Sequence, residues 1–226
     1  MNRHLYILCS YRAKEDQSFR KEQLNIFLKH MKQYMIQYES LKYTLIVVEQ
    51  NDNDPFNRAK ICNIGFLEAQ KMESDNVNNY YCHHNIDILP TTVDYSKFTN
   101  GFKDIFGWEG GMGAIYLFDA DSYIKCNGYP NNIPGWGGDD TALLERAKYI
   151  NITIDRTEYN TNNIIELNAG MRGYINCSFN DKNRSVVFNE MSINTWKTNG
   201  LNTCTYTIES IIYDKELNYY HYLVNV

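Results

Sequence analysis

The chain has 226 residues, of which 43% are hydrophobic and 22% charged, enough for one globular domain with a proper core. Its formal net charge of −5 shows no basic excess, its lysines and arginines are scattered, and no apolar run is long enough to span a bilayer; these features exclude a nucleic-acid binder and a membrane helix. No charged-then-apolar leader opens the chain, so a soluble, cytoplasmic protein is expected. Six cysteines, at 9, 62, 82, 126, 177 and 204, form no CxxC pair, which speaks against a zinc cluster and for reduced, mostly buried thiols. The sequons at Asn151, Asn176 and Asn183 carry no weight without a secretory route.

Leu5 to Cys9 reads as a short buried strand running into Ser10-Tyr11-Arg12. Leu24, Phe27, Leu28, Met31, Met35 and Tyr38 recur at spacings of three and four, a helical stripe laid on a sheet. Thr44 to Glu49 is an apolar, β-branched run typical of a parallel strand covered on both faces, so the first fifty residues form a βαβ unit. A polar loop from Gln50 to Pro55 precedes a second helix, which Asn57 can cap and whose buried face holds Cys62, Gly65, Phe66 and Ala69. Arg58 falls in its first turn, where a cation opposes the helix dipole; that placement points to a phosphate or carboxylate partner, with a solvated arginine as the plainer alternative.

Tyr80 to Pro90 reads as one strand stopped by proline. Asn85 and Asp87 would then point the same way at its carboxyl end, where open α/β sheets bind ligands, and a magnesium or manganese ion with a diphosphate would suit such oxygen ligands. His83 and His84 would point to opposite faces and cannot share a metal. Glycines 107, 110, 111 and 113 surround Trp108 and Glu109 and imply close backbone approach to a ligand. A strand follows at Ala114–Phe118, a short helix over Asp119–Asn127, and a turn at Gly128–Asn132.

The stretch Gly135-Trp136-Gly137-Gly138-Asp139-Asp140 combines a flat indole wall with two carboxylates at the start of a helix marked by Leu143, Leu144 and Ala147. An aromatic platform beside a held carboxylate suits a sugar, although an Asp-capped Gly-rich loop has the same look. Beyond Ile150 the pattern weakens, with loops at 160–163 and 180–184 and short strands expected around Val186-Val187-Phe188, Thr205–Ile208 and Tyr219–Val224. No repeat or linker divides the chain.

Six stretches, in order, resemble the β-1,4-galactosyltransferase family. Phe56-Asn57-Arg58-Ala59-Lys60 with Asn63-Ile64-Gly65-Phe66 is similar to FNRAKLLNVGF, and Asn85-Ile86-Asp87-Ile88-Leu89-Pro90 to DVDLIP. Gly110 to Ala114 resembles GGVSA, Asn127 to Asn132 resembles NGFPNN, and Gly135 to Asp140 stands where the family has GWGGEDD. Gly200 to Tyr206 resembles GLNSLTY. The resemblance runs from about Ser10 to the end and implies an α/β fold of the GT-A nucleotide-sugar-binding type, with a mostly parallel central sheet flanked by helices. It implies one catalytic domain over 1–226, with the nucleotide-sugar core and base motif in 1–150 and the acceptor side and C-terminal part in 151–226.

The roles implied follow position by position. Tyr11, Arg12, Phe56 and Arg58 would hold uridine and diphosphate; Trp108 and Glu109, beside Gly110 and Gly111, would help select the donor sugar; Trp136 would lie between donor and acceptor. Asp140 would be the catalytic base with Asp139 its neighbour. Asp87 would bind manganese or magnesium, with Met171 and Tyr174 matching the stretch that completes the metal site. Asn85 and Tyr174 replace an aspartate and a histidine of the family, so metal affinity is expected to be weak. Thr141 and Ala142 replace further carboxylates and leave the acceptor open, as Trp108 leaves the donor sugar open. The family's stem and membrane anchor have no counterpart, as in a bacterial or viral enzyme. The implied activity is inverting transfer of a hexose, of galactose, N-acetylgalactosamine or glucose type, from a UDP-sugar to a glycan hydroxyl. A degenerate binder of nucleotide sugar or glycan is the alternative. A hydrolase is a third reading, to which adjacent carboxylates are poorly suited.

Overall fold

Side-chain alternation along the first strands decides where the helices go. Strands β1 (His4–Tyr11) and β2 (Lys42–Gln50) pair in parallel, joined by helix α1 (Ser18–Met35), and helix α2 (Arg58–Met72) leads on to β3 (Tyr80–His84), which pairs with the other edge of β1. Leu5, Ile7, Cys9, Leu45 and Val47 face one side and pack on Leu24, Phe27, Leu28, Met31 and Met35 of α1. Tyr6, Leu8, Ile46 and Val48 face the other side and pack on Ala59, Ile61, Cys62, Ile64, Phe66 and Ala69 of α2. Successive strand residues point to opposite faces, so a strand covered twice must be apolar throughout. At about 1.5–3 kcal/mol for each large side chain removed from water, the five α1 residues alone outweigh the modest intrinsic helix preference of that segment. The helical stripe ends at Met35; Tyr38 lies beyond α1 and donates to the Val93 carbonyl at 2.7 Å.

The remaining elements are β4 (Ile88–Pro90), β5 (Phe102–Phe106), β6 (Ile115–Asp119), α3 (Ala120–Lys125), α4 (Asp139–Tyr149), β7 (Ile154–Asp155), β8 (Ile164–Glu166), α5 (Asp181–Ile193), two 3-10 turns, β9 (Thr207–Asp214) and β10 (Tyr219–Asn225). They complete an eight-stranded sheet of order β7-β5-β6-β3-β1-β2-β10-β9, with β4 and β8 paired separately. The central strands β3, β1, β2 and β10 run parallel, as do β5 and β7, while β6 is antiparallel to both β3 and β5, and β9 to β10. The sheet is thus parallel at its centre and mixed at its flanks, with helices on both faces. The computed structural model describes residues 3–13, 18–72, 78–135, 137–159, 164–167 and 181–226.

Two local expectations are corrected. The run from Tyr80 to Pro90 is not one strand: β3 stops at His84, a turn closed by Ile88 N–H donating to the Asn85 carbonyl intervenes, and β4 follows. His83 and His84 do face opposite sides, His83 against Tyr116 and Phe118, and His84 against Phe27 and Tyr95. Residues 181–184, expected as loop, and Val186-Val187-Phe188, expected as a strand, all lie inside helix α5. Its buried stripe is Asn183, Val187 and Glu190, spaced four and three apart. Two of those three are polar and are satisfied by distant partners, so counting apolar residues misses the helical period.

Asparagines bolt the back of the site together. Asn63 donates to the Tyr129 carbonyl and accepts from Tyr123 Oη and Tyr129 N–H. Asn131 donates to the Gly200 carbonyl, and Asn127 to the Trp196 carbonyl. The stretches 127–132 and 200–206 therefore lock α2, α3 and the C-terminal segment together.

Candidate functional site

The site assembles where α2, α4 and the end of β3 meet. Asn57 caps α2, its Oδ1 accepting from Lys60 N–H at 3.0 Å, and its Nδ2 donates to the Asn131 carbonyl at 2.7 Å. This sets Arg58 as the first residue of α2, with its side chain only 17% exposed. Its Nη1 donates to Asp139 Oδ2 at 2.7 Å and to Asp140 Oδ1 at 2.8 Å, and its Nη2 reaches Asn85 Oδ1 at 3.4 Å. The anionic partner expected from the position of Arg58 is thus a pair of carboxylates from the same chain. Burial works against the guanidinium charge, but Asp140 and Asp139 more than compensate and hold Arg58 above its ordinary value.

Asp139 and Asp140 open α4. Gly138, with φ of 94°, precedes them in the left-handed region that favours glycine and caps the helix without a side-chain hydrogen bond. The helix dipole favours acids in the first turn by about 0.3–1 kcal/mol each. The turn 107–113 backs this corner: Met112 N–H donates to the Asp140 carbonyl at 2.9 Å, and a Cβ on Gly111 would lie 2.6 Å from Asp140 Cβ. Only glycine permits that approach. Burial pushes the Asp140 carboxyl up to about 7; Arg58 opposes the shift and Asp139 adds to it. The Asp140 side chain remains 37% exposed, open on one side.

A cleft of about 390 Å³ lies beside Asp140, lined by Trp108, Gly138, Thr141, Arg184, Val187 and Phe188. Trp108 and Phe188 are 63% and 64% exposed, and both line this one cleft. Gly110 lies under the Trp108 ring, and Glu109 contributes its carbonyl to Arg156 at 2.8 Å. Asn183, 2% exposed, donates to the carbonyls of Pro134 and Gly137, both at 3.0 Å, and so ties α5 to the loop before α4. Phe188, Asn183 and Arg156 were not singled out by sequence, because the first two lie in a segment read as loop and strand and Arg156 sits in no recognisable motif.

The remaining candidates differ in how they are tied to this corner. Tyr11 is 2% exposed and packs in the α1-side core. Arg12 donates to the carbonyls of Asp52 and Asp54, bracing the loop before α2. The Phe56 carbonyl accepts from Gly135 N–H at 2.7 Å, and its ring packs on the α2-side core. Asn85 and Asp87 lie in the turn after β3 and reach different partners, Asn85 towards Arg58 and Asp87 towards Arg20 at 3.7 Å. Trp136, Met171 and Tyr174 lie outside the described residues. Among the described residues no three His, Cys, Asp or Glu side chains group as a metal site, so Asp87 offers a single carboxylate there. The thiols of Cys9, Cys62, Cys82 and Cys126 are free and buried, and that of Cys204 is free and part-exposed.

A doubly covered sheet with an acid pair near the carboxyl ends of its parallel strands places the site where open α/β folds bind ligands, and the GT-A nucleotide-sugar fold is one of these architectures. Two family models match consecutive stretches, the N-terminal region of glycosyl transferase group 7 over residues 2–99 and the N-terminal domain of galactosyltransferase over residues 93–169. The chain belongs to this β-1,4-galactosyltransferase family. Mouse β-1,4-galactosyltransferase 4 is 28% identical over 208 residues, covering 85% of this chain and 57% of the mouse protein. Human β-1,4-galactosyltransferase 6 is 31% identical over 156 residues, covering 62% of this chain and 38% of the human protein. The chain therefore spans less than two thirds of the length of such curated relatives, 57% of the first and 38% of the second. The catalytic domain of Drosophila β-1,4-galactosyltransferase 7 in complex with xylobiose superposes with a TM-score of 0.76 at 20% identity, covering 99% of this chain and 94% of that one. A mutant of the Drosophila enzyme in complex with manganese, UDP-Gal and xylobiose gives 0.75 at 19% identity, with the same coverage. These relatives come from animals and lend no support to the bacterial or viral source expected above. No helix among the described residues is long and apolar enough to cross a membrane.

Proposed function

We propose that the chain is an inverting glycosyltransferase that moves a hexose from a UDP-sugar to a hydroxyl of a glycan, with Asp140 as the base. The observation that carries this reading is the Arg58–Asp139–Asp140 cluster, with a sugar-sized aromatic cleft beside it, in a chain of this family. An acceptor seated between Trp108 and Phe188 would present its hydroxyl to Asp140. Asp140 takes the hydroxyl proton as the oxygen bonds to the anomeric carbon, and the bond from that carbon to the diphosphate oxygen breaks with its electron pair leaving on UDP. One base is enough for such a single displacement. A carboxyl held near 7 is well matched to this task at neutral pH, since it can both accept and later release the proton.

Arg58 belongs to the donor side of the reading. The two carboxylates it now holds are anions in the place of a diphosphate, and a bound nucleotide would compete for the same guanidinium. A divalent cation, manganese or magnesium, is part of the proposal, since the Drosophila relative was complexed with manganese. The described residues supply Asp87 for it and no full ligand set, so no step is drawn through the metal. Galactose, N-acetylgalactosamine and glucose donors all remain within the proposal, and the site-residue roles of Tyr11, Arg12, Phe56, Trp108 and Glu109 are part of it.

The test is a panel of UDP-sugars with manganese, read first as protection against thermal unfolding and then as UDP release on adding sugar acceptors. A donor at a hundred times its dissociation constant adds about 2.7 kcal/mol to native stability. Protection by one UDP-hexose and acceptor-dependent UDP release are expected. Protection without release under any acceptor favours the degenerate binder, a reading to which the amide at Asn85 gives some weight. No protection by any UDP-sugar overturns the transferase and the nucleotide-sugar binder alike.

A further inference from the structure

The turn that carries Trp108 contains four glycines in seven positions, at 107, 110, 111 and 113. Such backbone loses more entropy on ordering than any other, so something must hold it. The holder is Arg156, which follows β7 and is remote in sequence. Its Nε donates to Asp104 Oδ2 at 2.9 Å, its Nη1 to the Glu109 carbonyl at 2.8 Å, and its Nη2 to the Gly111 carbonyl at 2.7 Å, with Nη2 also 2.7 Å from Asp104 Oδ2. Asp104 is fully buried in the middle of β5, and its second oxygen accepts from Gly113 N–H at 3.2 Å. Tyr159 adds a hydrogen bond to the Gly107 carbonyl. The same turn backs Asp140, through Met112 N–H to the Asp140 carbonyl and through Gly111, where an added Cβ would collide with Asp140 Cβ.

We infer that Arg156 is a positioning residue for sugar transfer: its forked bonds to Asp104 and to two carbonyls of the turn set where Asp140 stands beside the cleft and Trp108 within it. This rests on the reading of Asp140 as the base. A fork is required because the acceptors lie in different directions, and a lysine ammonium on one stem cannot serve them all. Burial pushes the Asp104 carboxyl up to about 6 even with Arg156 beside it. Without the arginine, Asp104 would take up a proton near neutrality and lose much of its pull on the turn.

The experiment compares Arg156→Gln and Arg156→Lys with the unaltered chain by amide hydrogen exchange, thermal unfolding, and transfer from UDP-galactose to xylosides and N-acetylglucosaminides. In Arg156→Gln the Met112 and Gly113 amides should exchange about tenfold faster or more, with β1 and β3 unchanged. Its kcat should fall about a hundredfold, the effect of a roughly 1 Å misplacement, with KM for UDP-galactose little changed. Arg156→Lys should recover the unfolding temperature but not kcat. Glu158→Gln, which breaks the neighbouring 2.8 Å pair with Lys103, should leave both exchange at the turn and kcat as they were. Unchanged exchange in Arg156→Gln overturns the inference, as does a kcat near that of the unaltered chain once the amides are released, or full recovery of kcat by lysine. Should Arg156→Gln fail to fold, Asp104→Asn carries the same comparison. Failure of the unaltered chain to release UDP from any UDP-sugar would instead sink the functional reading, a result separate from these.

Discussion

Replacing Asp140 by asparagine is the sharpest test of the site. The amide keeps the volume, and the backbone bond from Met112 N–H to residue 140 does not depend on the side chain. Arg58 keeps its 2.7 Å bond to Asp139. The fold loses one charge-assisted hydrogen bond, which is worth about 1.5–3 kcal/mol, and is relieved of a like-charge neighbour, so the net change in stability is small. Catalysis loses its proton acceptor, and a positioned base contributes about 10²–10⁴-fold in rate. That is about 2.7–5.5 kcal/mol in the barrier.

The pH dependence adds an independent signature. Transfer needs Asp140 ionised, so kcat/KM of the unaltered chain should rise through about pH 7, the value to which burial brings this group in the free protein, with Asp139 and Asp104 adding and Arg58 opposing. A diphosphate that draws off the Arg58 charge raises Asp140 further, so the limb in kcat should lie at or above that in kcat/KM. For stability the sign is fixed by a folded value above the ordinary 3.8. The folded state holds the extra proton between the two values, so this contribution is complete below the unfolded value and is lost as pH rises through about 7. Asp140→Asn should flatten that slope in urea unfolding, abolish the limb in rate, and leave UDP titration by calorimetry nearly unchanged. Transfer by the variant within about tenfold of normal, or a rate limb that survives near pH 7, would refute the assignment of the base.

Phe188→Ala should change stability by no more than about 0.5 kcal/mol, because the ring is mostly exposed, yet raise acceptor KM while sparing KM for UDP-galactose; an unchanged acceptor KM removes α5 from the acceptor cleft. Arg146 is fully buried and donates to the carbonyls of Gly128 and Asn199 at 2.7 and 2.8 Å and to Glu190 at 2.9 Å. Arg146→Ala strands the buried Glu190 carboxylate and should cost about 3–5 kcal/mol in urea unfolding, a large part of the stability of a domain this size. A loss below about 1 kcal/mol would mean that Glu190 finds water or a proton instead.

Much of the protein was legible in its residues, because strands and helices advertise themselves by local period. The doubly covered runs at Leu5–Cys9 and Thr44–Glu49, the α1 stripe and the Asn57 cap all lie where the pattern puts them. The pair Asp139-Asp140 stands at a helix start as its Gly-rich approach demands. Sequence also left Arg58 with two readings, an anionic partner or a solvated side chain. Only the folded chain decided which: carboxylates 81 and 82 residues away, reached because β2, β3 and the helices after them converge on one end of the sheet. The same holds for α5, whose buried stripe is two-thirds polar, and for Arg156, which meets Asp104 across 52 residues. Long-range polar pairing has no period along the chain. It is settled by topology, which sets the partners that a buried charge must find.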